Sequence, residues 1–303
     1  MQRRNAIGRG LLSIVGLSLA ASRLPAAGDG PRQEALACLW SIVHNDSGWT
    51  RIHAAESLIR AGPRESSAVQ TLFLAELPTL EGSTYRIGAW RVLAETALSD
   101  EDRNQWIGKI EDAFVDTAAA DRSNALESLG KLRAPLTGSV LDEARIWADA
   151  EGPRSVLGLW SLYFGGDLSA LTRLDEALRS PDPEMRGDAA YAFRWMQVST
   201  PRILRDLAWT ADAEPSESSA YVYVVGAAVA LRADPGRLDH WKSILETILF
   251  KGSADYRFEA AQALGPLMTK ADIPRLLPLL TRPTSDDRTA GCVCLLYADK
   301  VSQ

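Results

Sequence analysis

Side chains able to do chemistry are few in this sequence and scattered. Its three histidines, His44, His53 and His240, fall far apart. A serine hydrolase pairs such a base with a nucleophile on a Gly-x-Ser-x-Gly turn, and the chain has no such turn. His53 falls on the polar side of a helical pattern and His44 at a helix end, so no catalytic histidine is expected. Three cysteines are too few for a disulfide framework or a zinc cage. Cys292 and Cys294, two residues apart on a helix, point to different faces, and Cys38 is too remote along the array to bridge to either; small buried thiols are expected. Carboxylates are abundant, yet they form neither a calcium loop nor a glycosidase-like signature. Gly165-Gly166-Asp167 is a lone glycine turn, without the spacing or the Lys-Ser/Thr of a phosphate cradle. No cofactor and no metal site are expected.

The 303 residues include 33 basic and 39 acidic side chains, a net charge of −6, and 46% are hydrophobic. This is the balance of a folded chain. It suits nucleic acid poorly, because phosphates demand a basic footprint. Arg3, Arg4 and Arg9 open the sequence, a short apolar run spans Leu11 to Ala21, and small residues follow at Ala26 and Ala27. That is the plan of a secretory signal peptide over residues 1–27. The Arg3-Arg4 pair resembles a twin-arginine signal, although the usual preceding Ser and following hydrophobics are missing. The expectation is export to the periplasm or the extracellular space, with a mature net charge of −10. Beyond residue 27 no run reaches the ~18 apolar residues of a membrane span; Ala220 to Leu231 reads as a buried helix.

The elements that must position these side chains show in a repeat. A segment opening with Arg has a small residue three places on and a large apolar one seven places on. It occurs at Arg51 (RIHAAESL), Arg86 (RIGAWRVL), Arg122 (RSNALESL), Arg186 (RGDAAYAF), Arg257 (RFEAAQAL) and, more loosely, Arg288 (RTAGCVCL). Weaker members begin at Arg154 and Ser219, and the intervals run from 31 to 38 residues. Each interval holds two short helices and two turns. Positions 0, +3, +4 and +7 then share one apolar stripe, and +2, +5 and +9 point the opposite way. Turns are expected at Gly62-Pro63, Gly152-Pro153, Pro181-Asp182-Pro183, Pro235-Gly236 and Arg282-Pro283.

These segments resemble HEAT repeats, especially the short bacterial kind related to phycobilin lyases. The likeness lies in Asp-x-Arg followed by Ala-Ala-x-(Ala/Ser)-Leu, as in Asp255-Tyr-Arg257 through Leu264, and again from Arg51 to Leu58. The resemblance implies an all-α fold, a right-handed α-α superhelix of about eight helical hairpins over residues 33–301, and a protein-binding role. It also implies that anchor arginines tie repeats together through acidic neighbours, Arg186 to Asp182 or Asp188 and Arg122 to Asp121.

A solenoid's partner usually lies along a face built from one helix per repeat. The +2, +5 and +9 positions give His53, Glu56 and Arg60, then Arg91 and Glu95, then Asn124, Glu127 and Lys131: a ridge of mixed charge. Tyr163, Tyr191 and Trp195 follow as an aromatic patch, suited to a protein anchor or to stacking a sugar ring, unless curvature buries it. Trp90, Trp106, Trp147 and Trp160 are assigned to interior layers. The leading expectation is an exported, non-enzymatic scaffold binding an unidentified protein on its concave face. A carbohydrate-binding module using the aromatic patch is the alternative, and a phycobilin-lyase-like enzyme is a third. In none does the chain bind nucleic acid or span a membrane once mature.

Overall fold

The computed structural model describes residues 30–299, so the expected signal segment, 1–27, lies outside the described residues. Every regular element among them is helical. In chain order the first are α1 (Gly30–Asn45), α2 (Gly48–Ala61), α3 (Pro63–Ala75), α4 (Leu77–Glu81), α5 (Arg86–Thr96) and α6 (Asp100–Val115). Next come α7 (Arg122–Lys131), α8 (Gly138–Ala148), α9 (Arg154–Phe164), α10 (Ser169–Ala177), α11 (Pro183–Met196) and α12 (Pro201–Ala213). The last are α13 (Tyr221–Ala230), α14 (Leu238–Lys251), α15 (Ala254–Leu264), α16 (Ile273–Leu276) and α17 (Ser285–Ala298), with short 3-10 turns on either side of α16. No helix among the described residues is long and apolar enough to cross a membrane.

The expected turns all fall between helices. Pro63 and Pro183 occupy first turns, where the missing N–H costs nothing. The Asp182 side chain caps α11 by accepting from the Glu184 N–H at 2.9 Å, and Ser99 caps α6 through Asp102.

All eight Arg- or Ser-anchored segments are helices, namely α2, α5, α7, α9, α11, α13, α15 and α17, and each packs on the next. The remaining helices alternate with them as an outer layer. The small +3 residues Ala54, Ala89, Ala125, Ala189 and Ala260 are fully buried, as are Leu58, Leu93, Leu129, Phe193 and Leu264 at +7. Gly158 shows how close the layers come: a Cβ there would lie 2.4 Å from the Ala148 backbone nitrogen.

The array also closes. α17 packs against α2, and α1 packs against both. Across this seam the Arg32 N–H donates to Asp299 at 3.2 Å, the Arg32 guanidinium donates to the Leu296 carbonyl at 3.5 Å, and Thr50 donates to Asp286 at 2.8 Å. An open spiral leaves its first and last helices with one bare flank each; here they cover one another.

The anchor arginines do tie hairpins together, but with other partners than the resemblance implied. Arg186 is held by both oxygens of Glu214, at 2.6 and 2.7 Å, and by the Ser180 carbonyl, not by Asp182 or Asp188. Arg122 pairs with Glu143 and the Phe114 carbonyl, and Asp121 accepts from Arg86 instead. Arg51 pairs with Glu76 and Arg257 with Asp287. Each of the carboxylate partners lies further along the chain, because a long side chain at the start of an inner helix overlies the following hairpin rather than its own first turn.

Candidate functional site: the ring interior and its mouth

The +2, +5 and +9 positions do share one face, and that face points into the ring. Because the ring closes, these side chains meet one another. Arg91 is 1% exposed; its Nε donates to Glu56 at 2.7 Å and its Nη1 to the Ser128 hydroxyl at 2.7 Å. Glu127 accepts from the Tyr191 hydroxyl at 3.1 Å and pairs with Lys131 at 2.7 Å. The Lys131 ammonium lies 4.9 Å from the Trp195 ring and 5.4 Å from that of Tyr191. Arg60, from the first hairpin, lies 5.7 Å from the Trp195 ring and donates to Gln262 at 3.1 Å. His53 is stacked on Phe258 with centroids 4.5 Å apart, and so packs inside the ring, not on a solvated side. Glu56 and Arg91, expected on an open ridge of mixed charge, are both buried and paired with each other.

Tyr191 is the hub of the aromatic patch, edge-on to Trp160, Trp195 and Tyr223. Tyr163 stands apart from it, against Phe164. Glu95 and Asn124 are half-buried in the same interior, and Trp90, Trp106, Trp147 and Trp160 are buried as expected. Sequence reasoning missed Arg194, which pairs with Glu259 across the ring, because +8 lies just off the projected face.

The cluster separates its carboxyl groups. Burial works to raise Glu56, but Arg91, Lys131 and Arg60 outweigh it and hold the group down to about 2. Burial and the nearby Glu56 charge push Glu95 up to about 7. Asp188 rises to about 7 through burial and the charges of Glu127, Glu184 and Asp182. Burial lowers His53, so its imidazole is neutral at pH 7. Such an interior can hold and release protons near neutrality. Among the described residues no group of three His, Cys, Asp or Glu could hold a metal ion.

Where the inner helices end, the interior opens into a cleft of about 380 Å³. Arg60, Arg194, Arg232, Trp195, Gln262 and Tyr297 stand on its wall, and among the described residues no carboxylate lines it. Trp195 Nε1 is buried with no hydrogen-bond partner among the described residues. The backbone here is unusual. Arg133, Gln197 and Arg232 follow the ends of α7, α11 and α13 at φ of 53°, 57° and 53°, the left-handed region that suits glycine. Gly166 occupies the corresponding turn after α9 at φ 94°. The same closing bond is made in three of these turns, from Ala134 N–H to the Leu129 carbonyl, Asp167 to Leu162, and Ala233 to Ala228. Arginine therefore stands where glycine fits, at a cost on the order of 1 kcal/mol each.

No protein-family model matches the chain, and no curated protein matches it.

Proposed function

We propose that this chain is a non-enzymatic binding protein for an anionic carbohydrate, taken up at the mouth of the ring. The observation that carries the reading is the cleft itself: three arginines and, among the described residues, no carboxylate on its wall, with Arg194 and Arg60 steadied from behind by Glu259 and Glu56 and Arg232 without a carboxylate partner. Guanidinium groups match carboxylate or phosphate in a bidentate fork. Trp195 and Tyr297 supply flat apolar walls for a sugar ring, and the unpaired Trp195 indole N–H supplies a donor. Strained, non-glycine turns at Arg133, Gln197 and Arg232 support a functional rim, because only a gain elsewhere offsets such strain.

In this reading the hairpins are HEAT-like repeats wound into a closed turn, and segment 1–27 directs export to the periplasm or beyond. The carbohydrate reading is favoured over a protein scaffold by the packing: residues assigned to a concave docking face are engaged with each other.

The test is tryptophan fluorescence titrated with an oligouronate and with a neutral oligosaccharide of equal length. Saturable quenching by the oligouronate alone, weakened by salt, is the expected result. Arg232→Gly separates function from folding: it should weaken binding about fivefold or more while raising stability by roughly 0.5–1 kcal/mol. No response to either ligand would remove the reading.

A further inference from the structure

We propose that Cys38 and Cys292 form a disulfide that locks the ring at its seam. Cys38 lies on α1 and Cys292 on α17, the two helices that close the array, and the packing and register of these helices set the two thiols near enough to perturb each other's ionisation. Every other neighbouring pair of hairpins is joined by the chain; this pair is joined only by packing and a few hydrogen bonds. The two helices run antiparallel across the seam, Arg32 beside Leu296 and Asp299, Cys38 beside Cys292. The pairing is therefore part of the helix register, not a chance approach of two loops.

The two thiols differ in a way that orders the reaction. Cys38 is half-buried, and the contact with Cys292 together with the Arg288 guanidinium lowers its thiol below the ordinary range. Cys292 is fully buried, and burial pushes its thiol up. Cys294 faces elsewhere, its Sγ 3.9 Å from the Ala261 carbonyl. The oxidant is a small-molecule disulfide such as glutathione disulfide. The Cys38 thiolate attacks one of its sulfurs, forming a mixed disulfide and releasing one glutathione thiolate. Cys292 then loses its proton, attacks the Cys38 sulfur, and releases the second glutathione thiolate. Two protein thiols are oxidised, and one glutathione disulfide is reduced to two thiols. The bond closes a loop spanning nearly the whole ring, the case in which a cross-link restricts the unfolded chain most.

The proposal rests on the seam alone and not on the ligand reading. The full chain is reduced, then equilibrated with glutathione disulfide, and its thiols are counted after unfolding in denaturant. The expected count falls from three to one, with a Cys38–Cys292 cross-linked peptide by mass spectrometry. The melting temperature should rise by roughly 5–10 °C over the reduced protein, with no rise in Cys38→Ser. Cys294→Ser should still form the bond, which separates the seam pair from the neighbouring thiol. Three thiols remaining, a persistent glutathione adduct on Cys38, a link to Cys294, or a bond that leaves the melting temperature unchanged would each overturn the proposal.

Discussion

The inner faces of α2, α5 and α7 and those of α9, α11 and α13 carry opposite chemistry. The first three helices bring Glu56, Arg91, Glu95, Glu127 and Lys131; the next three bring Trp160, Tyr191, Trp195 and Tyr223. Neither set is stable facing water alone as a buried layer. Charges need partners in a low dielectric, and aromatic faces need to be covered. Closure sets each against the other: Lys131 lies over Tyr191 and Trp195, and Glu127 takes the Tyr191 hydroxyl. A sequence pattern that looks like two separate surfaces is one interface folded onto itself.

The comparison is broken most severely on the charged side. Arg91→Ala leaves Glu56 buried without its main partner and should cost about 3–5 kcal/mol by urea unfolding. Replacing both Arg91 and Glu56 by Met should recover most of that loss, since a buried pair is costly to split and cheap to remove together. A result in which the double variant is no better than Arg91→Ala would show that the pair has other essential contacts.

The interface between the halves is next. Gly130 on α7 faces Trp160, whose ring would lie 2.8 Å from an added Cβ. Gly130→Ala should therefore cost roughly 1–3 kcal/mol by overpacking, more than any helix-propensity gain. Thermal unfolding at equal concentration checks it.

A pH series sharpens the charged half. Glu95 has its folded value raised to about 7, so the folded state holds a proton that the unfolded state releases between about pH 4.5 and 7. Stability from this group falls as pH rises through that window. Glu95→Gln should thus stabilise by about 1–3 kcal/mol at pH 8 and change little at pH 5. Glu56 has the opposite sign: held down to about 2, it contributes above its unfolded value and is lost as pH falls towards 2. Equal effects of Glu95→Gln at both pH values would contradict the assignment.

The smallest expected effect is on the aromatic side. Tyr191→Phe keeps the ring packing and loses the 3.1 Å bond to Glu127, for about 1–2 kcal/mol. The loss should vanish when Glu127 and Lys131 are both already Met, a cycle that isolates the cross-ring bond.

Much of this architecture was legible. Arg anchors with a small residue at +3 and a large apolar one at +7 marked six of the eight inner helices, and the weaker segments at Arg154 and Ser219 the other two, because helical periodicity fixes which side chains share a stripe. Of the +2, +5 and +9 positions, Glu56 and Arg91 meet, Glu127, Lys131, Tyr191 and Trp195 meet, and Tyr163 stands apart. The environment of these positions was not legible. The anchor pairs were misassigned to Asp182 and Asp121 because local sequence cannot say which hairpin a guanidinium overlies. Cys38 and Cys292 sit at opposite ends of the sequence, and only the seam makes them neighbours.

The sequence by itself determined the helical class, the anchored inner segments and the turns between them, since these depend on residues within one or two turns. Tertiary structure alone decided that the inward faces meet, that charged and aromatic halves complement each other, and that an arginine-lined mouth remains. Closure needs the packing of all eight hairpins, including the close approaches at Gly130 and Gly158, where an added Cβ would meet Trp160 and the Ala148 backbone. Their sum, not any one of them, brings the last helix back to the first.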